Sequence, residues 1–278
     1  MVLTQRIGAL PKEETCVYPG GRLACPGPER SLDEPFVAVL GAKETVSPPG
    51  HSSVPDALEV RLGLPCVDFS ASQAGPDAYL ADTGLMMHVQ RASAVVITVP
   101  GAHALRNPFF TVHKWSNDRV IGQSEKLRDL FPEMEFLSYG FVRQMLGDMQ
   151  ACSPGRFAVV RQALQHIWME RMQTLLAQFD QPVIALWRGN RGPDDADPNR
   201  LDTDPALVTK EMFEALDVER RVVVPGARKT FLAGRPKAGR SCPVEDRLAP
   251  VVAELAEWPL GPAKDPEGPR RRGALFGT

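Results

Sequence analysis

Continuous apolar runs recur along the chain and predict buried strands. The first spans residues 36–40 and lies between acidic residues and Gly41. Similar runs span residues 64–69, 94–99, 183–187 and 221–224. Because the apolar residues in each run are consecutive rather than alternating, both faces of each strand are predicted to be buried, as they are in a parallel sheet.

Helical periodicity fills the stretches between these runs. Ser53 as N-cap and Pro55 in the first turn predict the start of one helix. The longest helix is predicted over residues 154–179, where the apolar positions form one stripe. Two shorter helices are predicted over residues 123–130 and 138–147.

Strands that alternate with helices predict an α/β fold with three αβα layers and a mostly parallel sheet. The predicted parts are an irregular lead-in over residues 1–35, the α/β domain over 36–225, and a basic, Pro/Gly-rich tail over 226–278. A helical insertion over residues 111–149 is expected to form a lobe beside the sheet. The tail is expected to be partly disordered, with one helix over residues 244–257.

Composition narrows the classes of function. The chain is 43% hydrophobic and 24% charged with a net charge of −2, which is typical of a globular protein and gives no basic excess for nucleic acid. The five cysteines form no CxxC pair, and the first twenty residues lack a secretory core, so we expect a cytoplasmic protein without a disulfide framework. No phosphate loop or dinucleotide fingerprint occurs, so we expect no cofactor. The most hydrophobic run, residues 94–102, is too short to span a bilayer, so we expect no membrane partner, and we expect no metal.

Polar loops follow the first four predicted strands. In an open parallel sheet, ligands bind outside the carboxyl ends of the strands, so these loops should meet at one edge. A small-molecule ligand is the expected partner, and the chain gives no prediction of its oligomeric state. The candidate ligand-binding residues in these loops are Glu44, Ser70, Ser72, Gly75, Gly101 and His103.

A further polar stretch, residues 113–119, offers acid–base chemistry. His113 could serve as a general base oriented by Asp118, while Arg119 or Lys43 meets an anionic group. The alternative is that Asn117 and Asp118 cap the next helix and that His113 packs against it. Asn117 and Arg119 are therefore also candidate ligand contacts.

The other candidates also have structural alternatives. His103 follows a buried strand and could be a hydrogen-bonded structural residue, and Lys43 could project into solvent. Thr45 and Ser47 are available as hydroxyl nucleophiles. The loop over residues 70–77 has the small residues of a tight strand-to-helix turn. The aspartates of residues 194–204 fit no regular calcium loop, so a solvated acidic loop is the preferred interpretation.

Three blocks of residues carry a family resemblance. Gly-x-x-x-Thr over residues 41–45, Ala-Gly-Pro-Asp over 74–77 and Gly101 after the third run resemble the first blocks of SGNH (GDSL-type) hydrolases. Residues 18–179 more closely resemble an uncharacterised bacterial domain family with this SGNH- or flavodoxin-like layout. Its hallmarks match Tyr18, Gly27-Pro28, Gly41, Glu44-Thr45, Gly101-Ala102, His113 and Asn117-Asp118-Arg119.

The chain also departs from the hydrolase pattern at the positions of its catalytic groups. Lys43 stands where the nucleophilic serine is expected, and Ser70 or Gln73 stands where an oxyanion glycine is expected. Residues 101–104 replace Gly-x-Asn-Asp, and no histidine follows His166. A Ser-His-Asp set in the usual order therefore cannot be assembled.

Two classes of function remain, with a third that no donor-binding motif supports. The first is a divergent hydrolase of ester or acyl-carbohydrate linkages that uses Lys43, Thr45, His113 and Asp118. The second is a non-catalytic module that binds an anionic or sugar-like ligand, or a protein partner, at the same loops. The third is a transferase that places a sulfate or phosphate over Lys43 and Arg119, with His113 as base.

Overall fold

The computed structural model describes residues 14–47, 53–189, 191–195, 197, 199–225 and 248–258. Its strands are β1 (Thr15–Cys16), β2 (Cys25–Pro26), β3 (Val37–Leu40), β4 (Cys66–Asp68), β5 (Ala94–Thr98), β6 (Phe110–Val112), β7 (Val120–Gln123), β8 (Val183–Gly189) and β9 (Arg220–Pro225). Its helices are α1 (Lys43–Val46), α2 (Val54–Leu62), α3 (Pro76–Ala81), α4 (Thr83–Val89), α5 (Glu125–Leu130), α6 (Val142–Cys152), α7 (Pro154–Leu176), α8 (Lys210–Glu214) and α9 (Ala249–Ala256).

Five of the strands form one sheet in the order β4-β3-β5-β8-β9, and every neighbouring pair is parallel. These are the five strands that the apolar runs predict, so the α/β class and the parallel sheet are confirmed. β4 is shorter than its run. β3 is the first of these five strands along the chain but lies inside the sheet, so the connections leave in opposite directions at the β3/β5 boundary. Such a switch point opens a crevice at the carboxyl edge.

Side chains alternate between two buried faces of this sheet. On β3, Val37 and Val39 pack into one apolar cluster with α2 and α9, whereas Ala38 and Leu40 pack into the other with α3, α4 and α7. Helices therefore pack against both faces, which explains why the central strands β3 and β5 are buried and almost entirely apolar.

The long helix α7 begins as predicted, with the Ser153 hydroxyl accepting a hydrogen bond from the backbone N–H of Arg156 at 3.4 Å. It ends at Leu176, three residues before its predicted end. Its apolar stripe is buried, and the indole N–H of Trp168 donates to the carbonyl of Pro100 at 3.0 Å. This bond ties α7 to the loop after β5.

The predicted insertion differs in detail from the structure. α5 lies within its predicted bounds, but the predicted helix over 138–147 is displaced, because α6 begins only at Val142. The sequence prediction also missed the antiparallel pair of β6 and β7. β6 has only three residues and β7 is only partly buried, so neither carries a long apolar run.

Both ends of the described chain pack into the core. Tyr18 and Leu23 of the predicted lead-in are buried, and β1 pairs with β2. In the predicted tail, Val251 and Leu255 of α9 are fully buried against the sheet. The rest of the tail prediction, residues 226–247 and 259–278, lies outside the described residues. Among the described helices, none is both long enough and apolar enough to cross a membrane.

Candidate functional site at the carboxyl edge

The loop after β3 starts with a glycine that no other residue can easily replace. Gly41 has φ of +145°, and a Cβ atom there would lie 1.7 Å from Thr98 Oγ1. Its N–H donates to the buried Tyr79 hydroxyl at 2.9 Å, and this hydroxyl donates to the Gly41 carbonyl at 2.8 Å. The start of α1 is therefore fixed at the carboxyl end of β3, beside the switch point between β3 and β5.

Glu44 of α1 joins this loop to the loop after β4. Its carboxylate accepts from the Ser72 hydroxyl at 2.8 Å and from the Gln73 N–H at 3.0 Å. Gln73 has φ of +51°, so the carboxylate holds a left-handed turn in place. The Lys43 N–H donates to the Ala71 carbonyl at 2.9 Å. Two of the predicted loops therefore meet, as expected.

Asn117 joins the 113–119 stretch to the same loop. Its side chain is fully buried: Oδ1 accepts from the Gly75 N–H at 2.9 Å, and Nδ2 donates to the His113 carbonyl at 2.9 Å. Its own N–H donates to the Gln73 carbonyl at 3.2 Å. Glu44, Ser72, Gly75, His113 and Asn117 thus form one hydrogen-bonded group, which we call the Asn117 cluster. Asn117 holds two loops together rather than capping a helix.

The half-buried ring of His113 has a fixed role in this group. Its Nδ1 atom accepts from the N–H groups of Trp115 and Ser116, at 3.3 and 3.1 Å. A neutral ring that accepts at Nδ1 carries its proton on Nε2, so it presents a hydrogen-bond donor rather than a base. Asp118 Oδ1 accepts from the Ser116 hydroxyl at 3.0 Å, and the Arg119 guanidinium lies over the Phe141 ring, 5.2 Å from its centre.

The loop after β5 adds a second histidine. His103 is 6% exposed, and its Nδ1 has no hydrogen-bond partner within the described residues. Burial lowers the pKa of this ring well below its ordinary value, and the charge of Arg143 lowers it further. A Cβ atom on Gly101 would lie 2.5 Å from Nδ1, so Gly101 gives the ring its space. The loop also reaches the Asn117 cluster, because a Gly75 Cβ would lie 3.7 Å from the Ala104 carbonyl.

A second group of polar residues, formed by Ser47, Asp68 and Ser70, lies at the ends of α1 and β4. We call it the Asp68 cluster. The Ser47 hydroxyl donates to Asp68 Oδ2, and the Ser70 N–H donates to Oδ1 at 2.9 Å. Burial raises the pKa of the Asp68 carboxyl, and hydrogen bonds from Ser47 and Ser70 offset only part of that shift.

Arg188, at the end of β8, binds the same segment from its other side. Its guanidinium donates to the carbonyls of Thr45 and Val46, the latter at 3.2 Å. The carbonyl of Thr45, one of the predicted nucleophiles, therefore binds Arg188. Both ends of α1 are anchored, so this short helix holds its position although it has only four residues.

Sequence reasoning passed over Asp68 and Arg188. Asp68 is the one charged residue inside the apolar run 64–69, and Arg188 follows the run 183–187 directly. Burying a charged residue at the end of a strand costs free energy unless the charge is paired. A charged residue at the end of an apolar run is therefore a signal of a polar site that can be read from the sequence.

Three aspartates of the acidic loop pair with basic side chains. Asp194 pairs with Lys210, Asp202 with Arg200, and Asp204 with Arg143. No group of three or more metal-ligating side chains occurs among the described residues.

The comparisons with known proteins place the chain in a family. Residues 1–250 match the model of DUF6473, whose description is a domain of unknown function. No curated protein matches the chain.

Proposed function

The chain belongs to the DUF6473 family, and from the geometry of its own site we propose that it binds a small anionic or sugar-like molecule at the carboxyl edge of the sheet. The observation that carries the proposal is the Asn117 cluster. Hydrogen bonds join three loops there into one surface, beside the switch point where ligands bind in open α/β sheets.

The chemistry of this surface favours a ligand rich in hydrogen-bond acceptors. His113 offers the N–H of Nε2, because its Nδ1 is occupied by two backbone donors. Lys43 and Arg119 add positive charge to the segments that the cluster joins. Carboxylate, sulfate and sugar hydroxyl groups all accept such bonds.

The occupied Nδ1 atom of His113 also favours ligand binding over catalysis by Lys43, Thr45, His113 and Asp118. A general base needs an unoccupied acceptor atom, and the Nδ1 of His113 is engaged. Asp118 accepts from Ser116 instead of orienting the ring. The lost serine, asparagine and late histidine of the hydrolase pattern agree with this interpretation.

A divergent hydrolase of ester or acyl-carbohydrate linkages is the second candidate. The specific observation in its favour is the Asp68 cluster, where a hydroxyl donates to a partly desolvated carboxylate. This second proposal also includes an SGNH-like arrangement of the sheet and helices and a bacterial source. Only the family resemblance supports these two parts. The widely spaced cysteines support a reducing, cytoplasmic compartment.

Calorimetry and thermal shifts test the binding proposal. We expect glucuronate, sulfate or phosphate to raise the melting temperature of the purified protein more than glucose does, because they bring negative charge. Arg119→Ala should weaken binding about tenfold or more. Arg220→Ala is the matched control, since Arg220 starts β9 at the opposite edge and pairs with Glu254. Equal effects of the two variants, or no shift with any ligand, would contradict the proposal.

A further inference from the structure

Ser47 and Asp68 form a pair that neither the hydrolase resemblance nor the family description assigns. Ser47 ends the segment that follows β3, and Asp68 is the last residue of β4, so both lie at the carboxyl edge. The Ser47 hydroxyl donates to Oδ2 of Asp68, while Oδ1 is held by the Ser70 N–H at 2.9 Å. The carboxylate is therefore oriented from one side and bonded to a hydroxyl on the other.

The surroundings of this pair disfavour the charged form of Asp68. The Asp68 carboxylate loses water on burial, and the negative charge of Asp56 disfavours ionisation further. An asparagine could keep the bond from the Ser70 N–H through its single acceptor oxygen and could donate its amide N–H to the Ser47 hydroxyl, without the charge. Buried carboxyls that bond a hydroxyl at a ligand-binding edge mark functional sites more often than ordinary surface acids do.

The charge distribution around Ser47 suits nucleophilic attack. Arg188 binds the carbonyl of Val46 at 3.2 Å, so a guanidinium lies next to the residue that precedes Ser47. Negative charge that develops on a carbonyl oxygen beside Ser47 would be stabilised by this cation.

The same two residue types also meet elsewhere in the chain without these features. The Ser31 hydroxyl donates to Asp33 Oδ2 at 2.7 Å, but both residues are exposed. The Ser31 pair is therefore a matched control for an effect of hydroxyl–carboxylate contact alone.

We propose that Ser47 is a nucleophile and that Asp68 is its general base, acting on an acyl linkage of the bound ligand. This inference rests on the proposed function, because the ligand site beside the Asn117 cluster delivers the linkage. Ser47 Oγ forms a bond to the acyl carbon, and its proton passes to Asp68. The carbon–oxygen bond of the ester breaks, and the leaving alcohol takes that proton.

Water completes the cycle. Asp68 accepts a proton from a water molecule whose oxygen attacks the acyl carbon, the bond to Ser47 breaks, and Ser47 regains the proton from Asp68. The products are a carboxylic acid and an alcohol, and no oxidant, reductant or cofactor takes part.

An alkyl fluorophosphonate tests the pair without knowledge of the natural substrate. Attack by Ser47 Oγ on phosphorus forms a P–O bond, releases fluoride and passes the proton to Asp68. The modified residue lies in the tryptic peptide of residues 44–61, and fragmentation separates Ser47 from Thr45, Ser52 and Ser53. Circular dichroism establishes that each variant is folded.

We expect modification of Ser47 in the unaltered chain, none at this peptide in Ser47→Ala, and about 100-fold slower modification in Asp68→Asn. Ser31→Ala should react at the original rate. A folded protein that is not modified at Ser47, or an Asp68→Asn variant that reacts at the original rate, would overturn the inference. If Ser47 is not modified but anionic ligands raise the melting temperature, the nucleophile proposal fails and the binding proposal stands. If Ser47 is modified but no anionic ligand raises the melting temperature, the binding proposal fails instead.

Discussion

The Asn117 cluster and the Asp68 cluster lie at the same edge of the sheet but use their polar groups differently. The buried amide of Asn117 bonds only backbone groups, so both of its polar atoms are satisfied within the fold. The Asp68 carboxylate bonds a side-chain hydroxyl and remains partly desolvated. A neutral amide that is fully bonded holds loops together, whereas a buried charge bonded to a hydroxyl can move a proton.

Exchanging the amide for a carboxylate gives the largest expected effect. In Asn117→Asp an anionic oxygen replaces Nδ2 and faces the carbonyls of His113 and Lys114 in a fully buried site. We expect a loss of about 3 to 5 kcal/mol in the free energy of unfolding, measured by denaturant titration. A loss below about 1 kcal/mol would mean that Asn117 does not hold the two loops together.

The opposite exchange, Asp68→Asn, should raise the free energy of unfolding rather than lower it. Because burial raises the folded pKa of Asp68 above its unfolded value, this carboxyl contributes stability below the unfolded pKa and loses that contribution as the pH rises through the folded pKa. The variant should therefore gain stability relative to the unaltered chain as the pH is raised from about 3 to 7, with its advantage greatest at neutral pH.

Denaturant titrations at several pH values measure this difference. Asp33→Asn, in the exposed Ser31 pair, should shift the free energy of unfolding by less than about 0.5 kcal/mol throughout. If Asp68→Asn is less stable than the unaltered chain at pH 7, the carboxylate is a structural anchor, and the contrast between the two clusters disappears.

The smallest effect is expected at the rim of the Asn117 cluster. Ser72→Ala removes an exposed hydroxyl that donates to Glu44, which keeps its bond to the Gln73 N–H. We expect a change of less than about 0.5 kcal/mol, visible as a small shift in the thermal midpoint. A loss near that of Asn117→Asp would show that the cluster depends on its exposed members as much as on its buried one.

Most of the fold could be predicted from the sequence because burial on both faces leaves a strong local pattern. The run 36–40 and the stripe of α7 each identify an element without knowledge of its neighbours. The β6–β7 pair left no such pattern, since β6 has only three residues, β7 is partly exposed, and the two strands pair only with each other. The packing of α9 depends on a sheet face that only the assembled fold provides.

The site was harder to predict than the fold. The convergence of the loops follows from the parallel sheet, and Glu44, Gly75 and Asn117 do meet. The roles of these residues could not be predicted, because whether His113 accepts or donates depends on which backbone N–H groups face its ring. Asp68 gained its importance from burial, which depends on the three-dimensional structure.

Hydrolysis of 4-acetoxybenzoate, an aryl acetate that carries a carboxylate, tests the division between the two clusters most directly. We expect Asp68→Asn to lower kcat about 100-fold with little change in KM, and His113→Gln to raise KM with little change in kcat. The reverse split, or no hydrolysis by the folded unaltered chain, would contradict the assignment of chemistry to Asp68 and of binding to the Asn117 cluster.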